Sequence, residues 1–362
     1  MQTPNIATTD AFVKCKSVFD THNKILVSYS GGSDSDIMLD LIQKVIKETN
    51  WKGEIKYVWF DTGIEYQATK DHIPFIENKY NIKIDKVRAK VPVPLGCKKF
   101  GLPFLSKYAS QMISRLQAHN FDFAKDGGGG YDELMKKYPN LKSALKFWCC
   151  AYGSTAVSKP SHFNIDQFKY LKDFMIENPP TFLISDLCCK GAKKDTAHDY
   201  LKANKFDLQC LGLRGAEGGV RATNTKGCFS EYHNKNDIYR PIWWFSNKDK
   251  EQYKDFYNIT YSDCYEVYGF NRTGCSCCPF GSNFEEELKL IEQYEPLLFK
   301  AVNNIFGESY NYTRKYREYK NKRKELDKQE KLYNLVHGQT SMFDNIKRKW
   351  LNWQKKECLV KK

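Results

Sequence analysis

The sequence predicts an α/β protein with a doubly wound, mostly parallel sheet. The first observation is a short apolar, β-branched run, Lys24 to Tyr29, which enters a glycine-rich turn and precedes the helical pattern IMLDLIQKVIKE. The second is a repeat of this order, in which the strand Ile55 to Phe60 leads through a polar turn into the helical stretch ATKDHIPFIENKY. A strand, helix, strand order requires a parallel crossover, and ligands of such sheets bind where the strands end. Both polar turns lie at that edge.

The composition is that of a folded protein. With 362 residues, of which 41% are hydrophobic and 15% aromatic, the chain can bury a core, and disorder is excluded as its main state. No apolar run approaches the ~20 residues that span a bilayer, and the amino terminus lacks a basic stretch followed by an apolar one. We therefore expect a cytoplasmic protein with no membrane partner.

The charge and the cysteine content narrow the classes of ligand. The net charge of +14 favours an anionic partner, either nucleic acid or a nucleotide, although an AT-rich coding sequence would give the same abundance of Lys, Asn and Tyr. The chain contains 13 cysteines. In a reducing compartment disulfides are rare, so clustered cysteines indicate metal ligands or redox groups.

Four regions follow one another along the chain. Residues 1–90 form the first part of the α/β domain. Residues 91–160, rich in Pro and Gly, are predicted to be an insertion or lid. In residues 161–284 the α/β pattern returns, with a predicted strand at FLIS (182–185) before a pair of adjacent cysteines. Residues 285–362 are predicted to be a charged helical extension, whose Lys and Arg side chains are interpreted first as a solvated face.

The turn after the first strand has the features of a phosphate-binding loop. Backbone N–H groups and the dipole of the following helix hold a phosphate at such a position, and glycines let the backbone approach the anion closely. Asp34 is the candidate catalytic residue, since its carboxylate is placed to hold a Mg²⁺ ion that bridges phosphates. The predicted nucleotide-binding residues of this loop are Ser30, Gly31, Gly32, Ser33, Asp34 and Ser35.

This SGGxDS pattern, directly after an apolar strand, resembles the PP-loop ATP pyrophosphatases, which have the adenine nucleotide alpha hydrolase-like fold. Two more motifs are similar to the phosphoadenosine phosphosulfate (PAPS) reductase branch of that superfamily. The turn DTGIEY at 61–66 matches its DTG-x-x-[FY], and the segment 212–221 matches its G-x-R-x-x-[EQ]-S-x-x-R, except that Gly218 stands where the serine is expected. The resemblance covers about residues 24–281. It implies further nucleotide-binding roles for Asp61, Thr62, Gly63, Glu65, Arg214 and Arg221.

The intact loop bears on the reaction. Sulfonucleotide reductases of this branch generally carry a degenerate loop, whereas ATP-cleaving members keep SGGxDS, as this chain does. The resemblance therefore implies cleavage of ATP between its α and β phosphates, which gives an adenylated intermediate and pyrophosphate. Mg²⁺ and basic side chains would neutralise the charge that develops on the leaving group.

Two distant groups of cysteines are candidate metal ligands. Two thiolate pairs suit either a [4Fe–4S] cluster or Zn²⁺, and spacing alone does not choose between these. Cluster-binding members of the branch carry adjacent cysteines, then the arginine motif, then C-x-x-C, which is the order found here. The resemblance therefore implies a [4Fe–4S] cluster. Its ligands would be Cys188, Cys189, Cys275 and Cys278, with Cys277 in reserve.

Two motifs near the carboxyl terminus match known patterns weakly. Glu357-Cys358 matches the start of the E-C-G-[IL]-H tail whose thiolate attacks substrate sulfur in assimilatory sulfonucleotide reductases, but the Gly and His are absent, and a chance match is favoured. Cys358 is the second candidate catalytic residue. The segment Gln339 to Asp344 (QTSMFD) is similar to peptides that dock on the replication sliding clamp. Packing of its Met and Phe on the domain is the favoured alternative.

Three functions remain in competition. The leading hypothesis is an enzyme that cleaves ATP and supports sulfur transfer through an iron–sulfur cluster. Relatives with both the loop and the cysteines include sulfur-inserting enzymes of DNA phosphorothioation, so the acceptor would be nucleic acid. The second hypothesis is reduction of a sulfonucleotide, PAPS or adenosine phosphosulfate, to sulfite. The third is a non-catalytic nucleic-acid-binding module with structural zinc.

Overall fold

A six-stranded sheet forms the centre of the protein. The computed structural model describes residues 2–153, 161–218, 225–232 and 236–337. The strand order is β3-β2-β1-β4-β6-β5, and every pairing is parallel except that of β5 with β6. The strands are β1 (Lys24–Ser28), β2 (Glu54–Asp61), β3 (Ile84–Arg88), β4 (Leu208–Leu211), β5 (Phe229–Ser230) and β6 (Asp237–Tyr239). The prediction of a mostly parallel α/β sheet is confirmed.

The strand order places a topological switch point between β1 and β4. From β1 the chain adds β2 and β3 on one side and then returns to place β4 on the other side of β1. In open parallel sheets the crevice at such a reversal is where ligands bind, because the loops that leave the two strands diverge there. The loop after β1 is the predicted phosphate loop.

Helices connect and cover these strands. In the described part of the chain they are α1 (Ile6–Asp20), α2 (Ser33–Thr49), α3 (Gln67–Tyr80), α4 (Val93–Phe100), α5 (Lys107–Ala118), α6 (Phe123–Asp126), α7 (Tyr131–Lys137), α8 (Lys142–Trp148), α9 (Leu171–Glu177), α10 (Leu187–Cys189), α11 (Thr196–Asn204), α12 (Asn247–Tyr257), α13 (Asp263–Glu266), α14 (Phe284–Tyr294) and α15 (Pro296–His337). The predicted helical character of residues 285–362 is confirmed as far as the structure describes this region, to His337, by α14 and α15.

The sheet is buried on both faces. Successive side chains of β1 alternate, so that Ile25 and Val27 enter one core with α1 and α2, while Leu26 packs with Val58 and Phe206 in another. The side chains of Ile25, Leu26 and Val27 are fully buried. This explains why the strand reads as a continuous apolar run instead of an alternating one.

The chain divides into two compact units. The first comprises residues 1–114 and 182–309 and contains the whole sheet; the second comprises residues 115–181 and those from 310 onward. In the second unit, Phe174 of α9 packs its ring against Tyr312, Tyr316 and Tyr319 of α15. The sequence boundaries at 90, 160 and 284 stay a prediction about domain organisation; residues 91–114 group with the sheet-bearing unit.

One predicted element is wrong. Residues 182–185 form no strand of the sheet and contribute only an isolated bridge between Ile184 and Leu102. Leu102 N donates to Leu183 O at 2.7 Å, and Ser185 N donates to Leu102 O at 2.8 Å. A segment with three consecutive apolar residues indicates burial but does not specify a pairing partner, and here that partner is the segment after α4. The adjacent cysteines consequently lie in the short helix α10.

No described helix is long and apolar enough to cross a membrane.

The core around α2 generates a stability prediction. Ile42 of α2 is fully buried, whereas Ile6 of α1, in the same unit, is 87% exposed. Replacing Ile42 by Ala removes buried methyl groups and leaves a cavity, so we expect a loss of about 2–5 kcal/mol in unfolding free energy. Ile6→Ala is the matched control, with an expected change within about 0.5 kcal/mol. Urea denaturation followed by circular dichroism measures both, and equal effects would contradict the assigned core.

Candidate active site

The loop between β1 and α2 is held in a tight turn by the hydroxyl of Ser35. The backbone N–H groups of Ser30 and Gly32 donate to Ser35 Oγ at 3.3 and 3.1 Å, and that hydroxyl donates to Gly32 O at 2.7 Å. Gly31 has φ +69°, a left-handed conformation that glycine adopts without strain. The turn therefore leads directly into α2, so that the N-terminus of this helix lies at the loop.

Neighbouring segments approach this loop closely. A Cβ atom on Gly31 would lie 2.5 Å from the Thr69 side chain of α3, and one on Gly212, just after β4, would lie 3.0 Å from the backbone N of Ser35. Real Cβ atoms essentially never come as close to another atom as the 2.5 Å that separates this Cβ position on Gly31 from Thr69. Close packing thus explains Gly31 of the phosphate loop and Gly212 of the arginine motif. The segment after β4 lies directly against the start of α2.

Asp34 lies in an ion cluster with two cations. Arg214 Nε donates to Asp34 Oδ1 at 3.0 Å, and Lys250 Nζ lies 3.1 Å from the same oxygen and 2.6 Å from Ser33 Oγ. Burial opposes ionisation of Asp34, but Lys250 and Arg214 together hold its pKa below the ordinary value. The carboxylate predicted to hold Mg²⁺ is therefore already engaged by side chains, and Mg²⁺ at Asp34 stays a prediction.

A cavity of about 450 Å³ opens on this loop. Of the predicted nucleotide-binding residues, those that line it are Ser30, Gly32, Ser33, Asp34, Ser35, Glu65 and Arg214. Lining residues that the sequence analysis did not identify include Lys193, Lys250, Tyr265, Arg272 and Thr273. No motif marks these side chains, since they come from α12 and from segments flanking the cysteines, and only the tertiary structure brings them to the loop.

The DTG turn after β2 orients Glu65. The backbone N–H and the hydroxyl of Thr62 both donate to Glu65 Oε1. Asp61 accepts from Gly63 N at 2.8 Å and pairs with Lys86 at 3.0 Å. Asp61, Thr62 and Gly63 themselves are not among the cavity-lining residues, so the turn acts on the cavity through the Glu65 carboxylate.

Glu65 and Lys193 link the cavity to the cysteines. Burial raises the pKa of Glu65, while the positive charge of Lys193 opposes that shift. The pKa of Lys193 is raised, chiefly by interaction with the Cys275 thiolate and against the effect of burial. Cys275 Sγ in turn lies 3.8 Å from the Thr62 hydroxyl. The side chain of Lys193, although exposed overall, therefore links the cavity to the first cysteine of the C-x-x-C loop.

The structure brings the four predicted metal ligands into electrostatic contact. Cys188 and Cys189 are hydrogen bonded to each other, Cys188 interacts with Cys278, and Cys189 interacts with both Cys275 and Cys278. The pKa of each thiol is raised. For Cys275 and Cys278 the main cause is burial, and for Cys189 it is the hydrogen bond with Cys188. For Cys188, the hydrogen bond with Cys189 lowers the pKa, but one with Cys97 and burial outweigh it.

Two further cysteines flank this group. Cys97 of α4 was assigned no role from the sequence, yet it is hydrogen bonded to Cys188. A Cβ on Gly96 would lie 3.1 Å from Cys188 Cα, which shows how closely α4 packs on the adjacent cysteines. Cys277, the reserve ligand, is buried with its backbone N–H donating to the Tyr66 hydroxyl at 3.1 Å.

The donor set has the chemistry of a soft-metal site. All 12 cysteines in the described part of the chain are free thiols. Thiolates are preferred ligands of iron–sulfur clusters and Zn²⁺, and a bound metal would stabilise the thiolate form that burial disfavours here. Among the described residues, no three His, Cys, Asp or Glu side chains are arranged around a common metal position. The residue types fit a metal centre, and the ligand set stays a prediction.

Three sequence-predicted features lie outside the described residues. These are Arg221 of the arginine motif, the candidate nucleophile Cys358, and the docking peptide Gln339 to Asp344.

Substitution of Gly31 tests the architecture of the loop. Gly31→Ala places a Cβ against Thr69 in a left-handed conformation, so we expect a loss of about 1–3 kcal/mol in unfolding free energy. Gly227→Ala is the control, because nothing lies within 4 Å of its Cβ position. Guanidinium denaturation of both variants measures the difference. Equal stability of the two variants would show that the loop does not adopt this turn.

Comparison with known proteins identifies part of the chain. Residues 24–145 match the model of the phosphoadenosine phosphosulfate reductase domain. An uncharacterized protein of Methanocaldococcus jannaschii is 22% identical over 284 residues, which make up 78% of this chain and 42% of that relative. The chain thus spans less than half the length of the curated relative it matches.

Solved structures with a similar arrangement share little sequence. The PAPS reductase of Candida auris, in a phosphate complex, is 13% identical, with 76% of this chain and 88% of that chain covered and a TM-score of 0.37. The U34-tRNA thiolase of Methanococcus maripaludis, with its [4Fe–4S] cluster, is 14% identical, with 87% and 78% covered and a TM-score of 0.37. The FMN adenylyltransferase of Candida glabrata, with FAD and pyrophosphate, is 11% identical, with 80% and 75% covered and a TM-score of 0.39.

The phosphate loop, the DTG turn and Glu65 all lie in the segment that matches the phosphoadenosine phosphosulfate reductase domain.

Proposed function

We propose that this protein binds ATP in the cavity at the switch point, cleaves it between the α and β phosphates, and supports sulfur transfer to an acceptor. One observation carries the proposal. The cavity lined by the phosphate loop is also lined by Glu65 and Lys193, and Lys193 interacts with Cys275 of the predicted cluster site. Nucleotide chemistry in the cavity and sulfur chemistry at the cysteines would then be linked through Lys193.

The phosphate loop would bind the polyphosphate. The N-terminus of α2 favours an anion, and hydroxyl groups of Ser30 and Ser33 line the cavity beside it. Arg214, 7% exposed, is held in place by Asp34 and by Asn247 Oδ1 at 2.9 Å. A guanidinium fixed in this way stabilises a phosphate without first losing conformational entropy.

The proposed reaction is adenylyl transfer. An acceptor oxygen attacks the α-phosphorus, the bond between that phosphorus and the oxygen bridging to the β-phosphate breaks, and pyrophosphate leaves with the electron pair. The proton of the acceptor hydroxyl is released to solvent. Mg²⁺ would balance the charge of the leaving group.

The cysteines would hold an iron–sulfur cluster. The residues that fit are Cys188, Cys189, Cys275 and Cys278, since each interacts with at least one other of the set. When bound, such a cluster supplies one-electron chemistry and affinity for sulfur. Lys193, beside Cys275, would place a positive charge between this group and the nucleotide.

A nucleic-acid acceptor is the part of the proposal that rests on charge. The net charge of +14 suits a polyanion. In residues 310–337 of α15, nine Lys and Arg stand against four Asp and Glu, which would add to attraction of a phosphodiester backbone.

Release of pyrophosphate from ATP tests the reaction. Wild-type protein with Mg²⁺ and nucleic acid is expected to release pyrophosphate, and Arg214→Ala is expected to slow release by about 10- to 100-fold, because a charge-assisted hydrogen bond to phosphate is lost. Arg88→Ala is the control, since Arg88 is exposed at the end of β3 and does not line the cavity. A wild-type protein that instead makes sulfite from a sulfonucleotide would overturn the proposal in favour of the reductase.

Metal analysis tests the cluster. Anaerobically purified wild type is expected to be brown and to contain iron and acid-labile sulfide, and Cys275→Ser and Cys188→Ser are expected to lose most of both. Cys149→Ser is the control, since Cys149 also belongs to an adjacent cysteine pair but lies in the second unit. A colourless protein with stoichiometric zinc, released only by unfolding, would support the structural-zinc module instead.

A further inference from the structure

Lys250 occupies an unusual position for a lysine. It lies on α12, 217 residues after Ser33 in the sequence, and it is only 9% exposed. Its Nζ atom lies 2.6 Å from Ser33 Oγ and 3.1 Å from Asp34 Oδ1, and 5.4 Å from the ring centre of Tyr261. A buried ammonium is costly to desolvate unless it is paired, so its contacts with the start of α2 need a reason.

The charges around Lys250 form a compact cluster. The carboxylate of Asp34 faces both Lys250 and Arg214, and Glu217 is hydrogen bonded to Asp34. The cluster lies at the N-terminus of α2, where the helix dipole adds positive potential. Across the whole cavity the lining cations are Lys193, Arg214, Lys250 and Arg272, and the lining acids are Asp34, Glu65 and Glu217. The described lining residues thus include one more basic than acidic side chain, and with the helix N-terminus this favours an anionic ligand.

We propose that Lys250 is a phosphate-binding residue that holds the pyrophosphate portion of the nucleotide against Ser33 and the N-terminus of α2. Asp34 positions this ammonium through their ion pair. Because Asp34 is shared by two side-chain cations, Lys250 supplies at the loop part of the counter-charge that a carboxylate-bound metal ion would otherwise supply. The assignment rests on the proposed binding of ATP in this cavity, and it predicts that the site recognises a polyphosphate and not the nucleoside.

Binding measurements on the full chain test this role. Isothermal titration calorimetry with inorganic pyrophosphate, ATP and AMP compares wild type with Lys250→Met and Lys250→Gln. Both variants are expected to bind pyrophosphate and ATP about 10- to 100-fold more weakly, since a charge-assisted hydrogen bond is lost. Their affinity for AMP is expected to stay near that of wild type. Lys250→Arg, which keeps the charge, is expected to recover part of the pyrophosphate affinity.

Lys254→Met is the matched control. Lys254 lies one turn further along α12, pairs with Glu266 at 2.9 Å, and does not line the cavity. It is expected to leave all three affinities unchanged. Thermal unfolding reports whether each variant is folded. Independently of any variant's stability, pyrophosphate is expected to shift the ¹⁵N signal of the Lys250 ammonium in lysine-labelled wild type, and not that of Lys254.

The outcomes separate this inference from the proposed function. Unchanged pyrophosphate affinity in the folded neutral variants, or an unshifted Lys250 signal in pyrophosphate-bound wild type, would overturn the role of Lys250. An equal loss of AMP and pyrophosphate binding would make Lys250 a structural residue and overturn it too. If wild type binds pyrophosphate through Lys250 but releases none from ATP, the proposed reaction fails and the phosphate-binding role stands. If wild type binds neither ATP nor pyrophosphate, both fail.

Discussion

The ion cluster of Asp34 with Arg214 and Lys250 is the interaction on which the candidate site depends. It joins the first turn of α2, the segment after β4, and α12, three parts of the chain that are far apart in sequence. Buried charges demand partners, so each of these cations is held close to the phosphate loop even without a ligand. The positively charged groups of Arg214 and Lys250 consequently have fixed positions beside the loop, and the adjacent cavity is preorganised for an anion.

A second set of contacts connects the cavity at the phosphate loop with the C-x-x-C loop. The Thr62 hydroxyl contacts both Glu65 and Cys275, and the C-x-x-C loop docks on the DTG turn through hydrogen bonds from Ser276 to Ile64 O. Lys193 is then placed between carboxylate and thiol. Because of these contacts, a shift of the cysteine loop would disturb the Glu65 carboxylate that lines the cavity.

Sequence patterns predicted local structure well where local interactions decide it. The apolar run at β1, the glycines of the phosphate loop and the periodicity of α2 each follow from sterics and burial within a short segment. The prediction of a strand at 182–185 is wrong because three apolar residues are compatible with an isolated bridge to Leu102 as well as with a strand of the sheet. Cys97 was not predicted to be near the other cysteines for a related reason. A single cysteine belongs to no spacing motif, and only the packing of α4 brings it close to Cys188.

The sequence by itself determined the α/β class, the phosphate loop at the end of β1 and the two groups of cysteines, because motifs with backbone or ligand-spacing requirements leave a local signature. The tertiary structure alone decided which cations face that loop and which residues join the cavity to the thiols. In the sequence alone, nothing distinguishes Lys250 and Lys193 from the other lysines of this basic chain. The proposed role of Lys250 arises from its burial beside Asp34 and that of Lys193 from its proximity to Cys275, and both positions depend on contacts between distant segments.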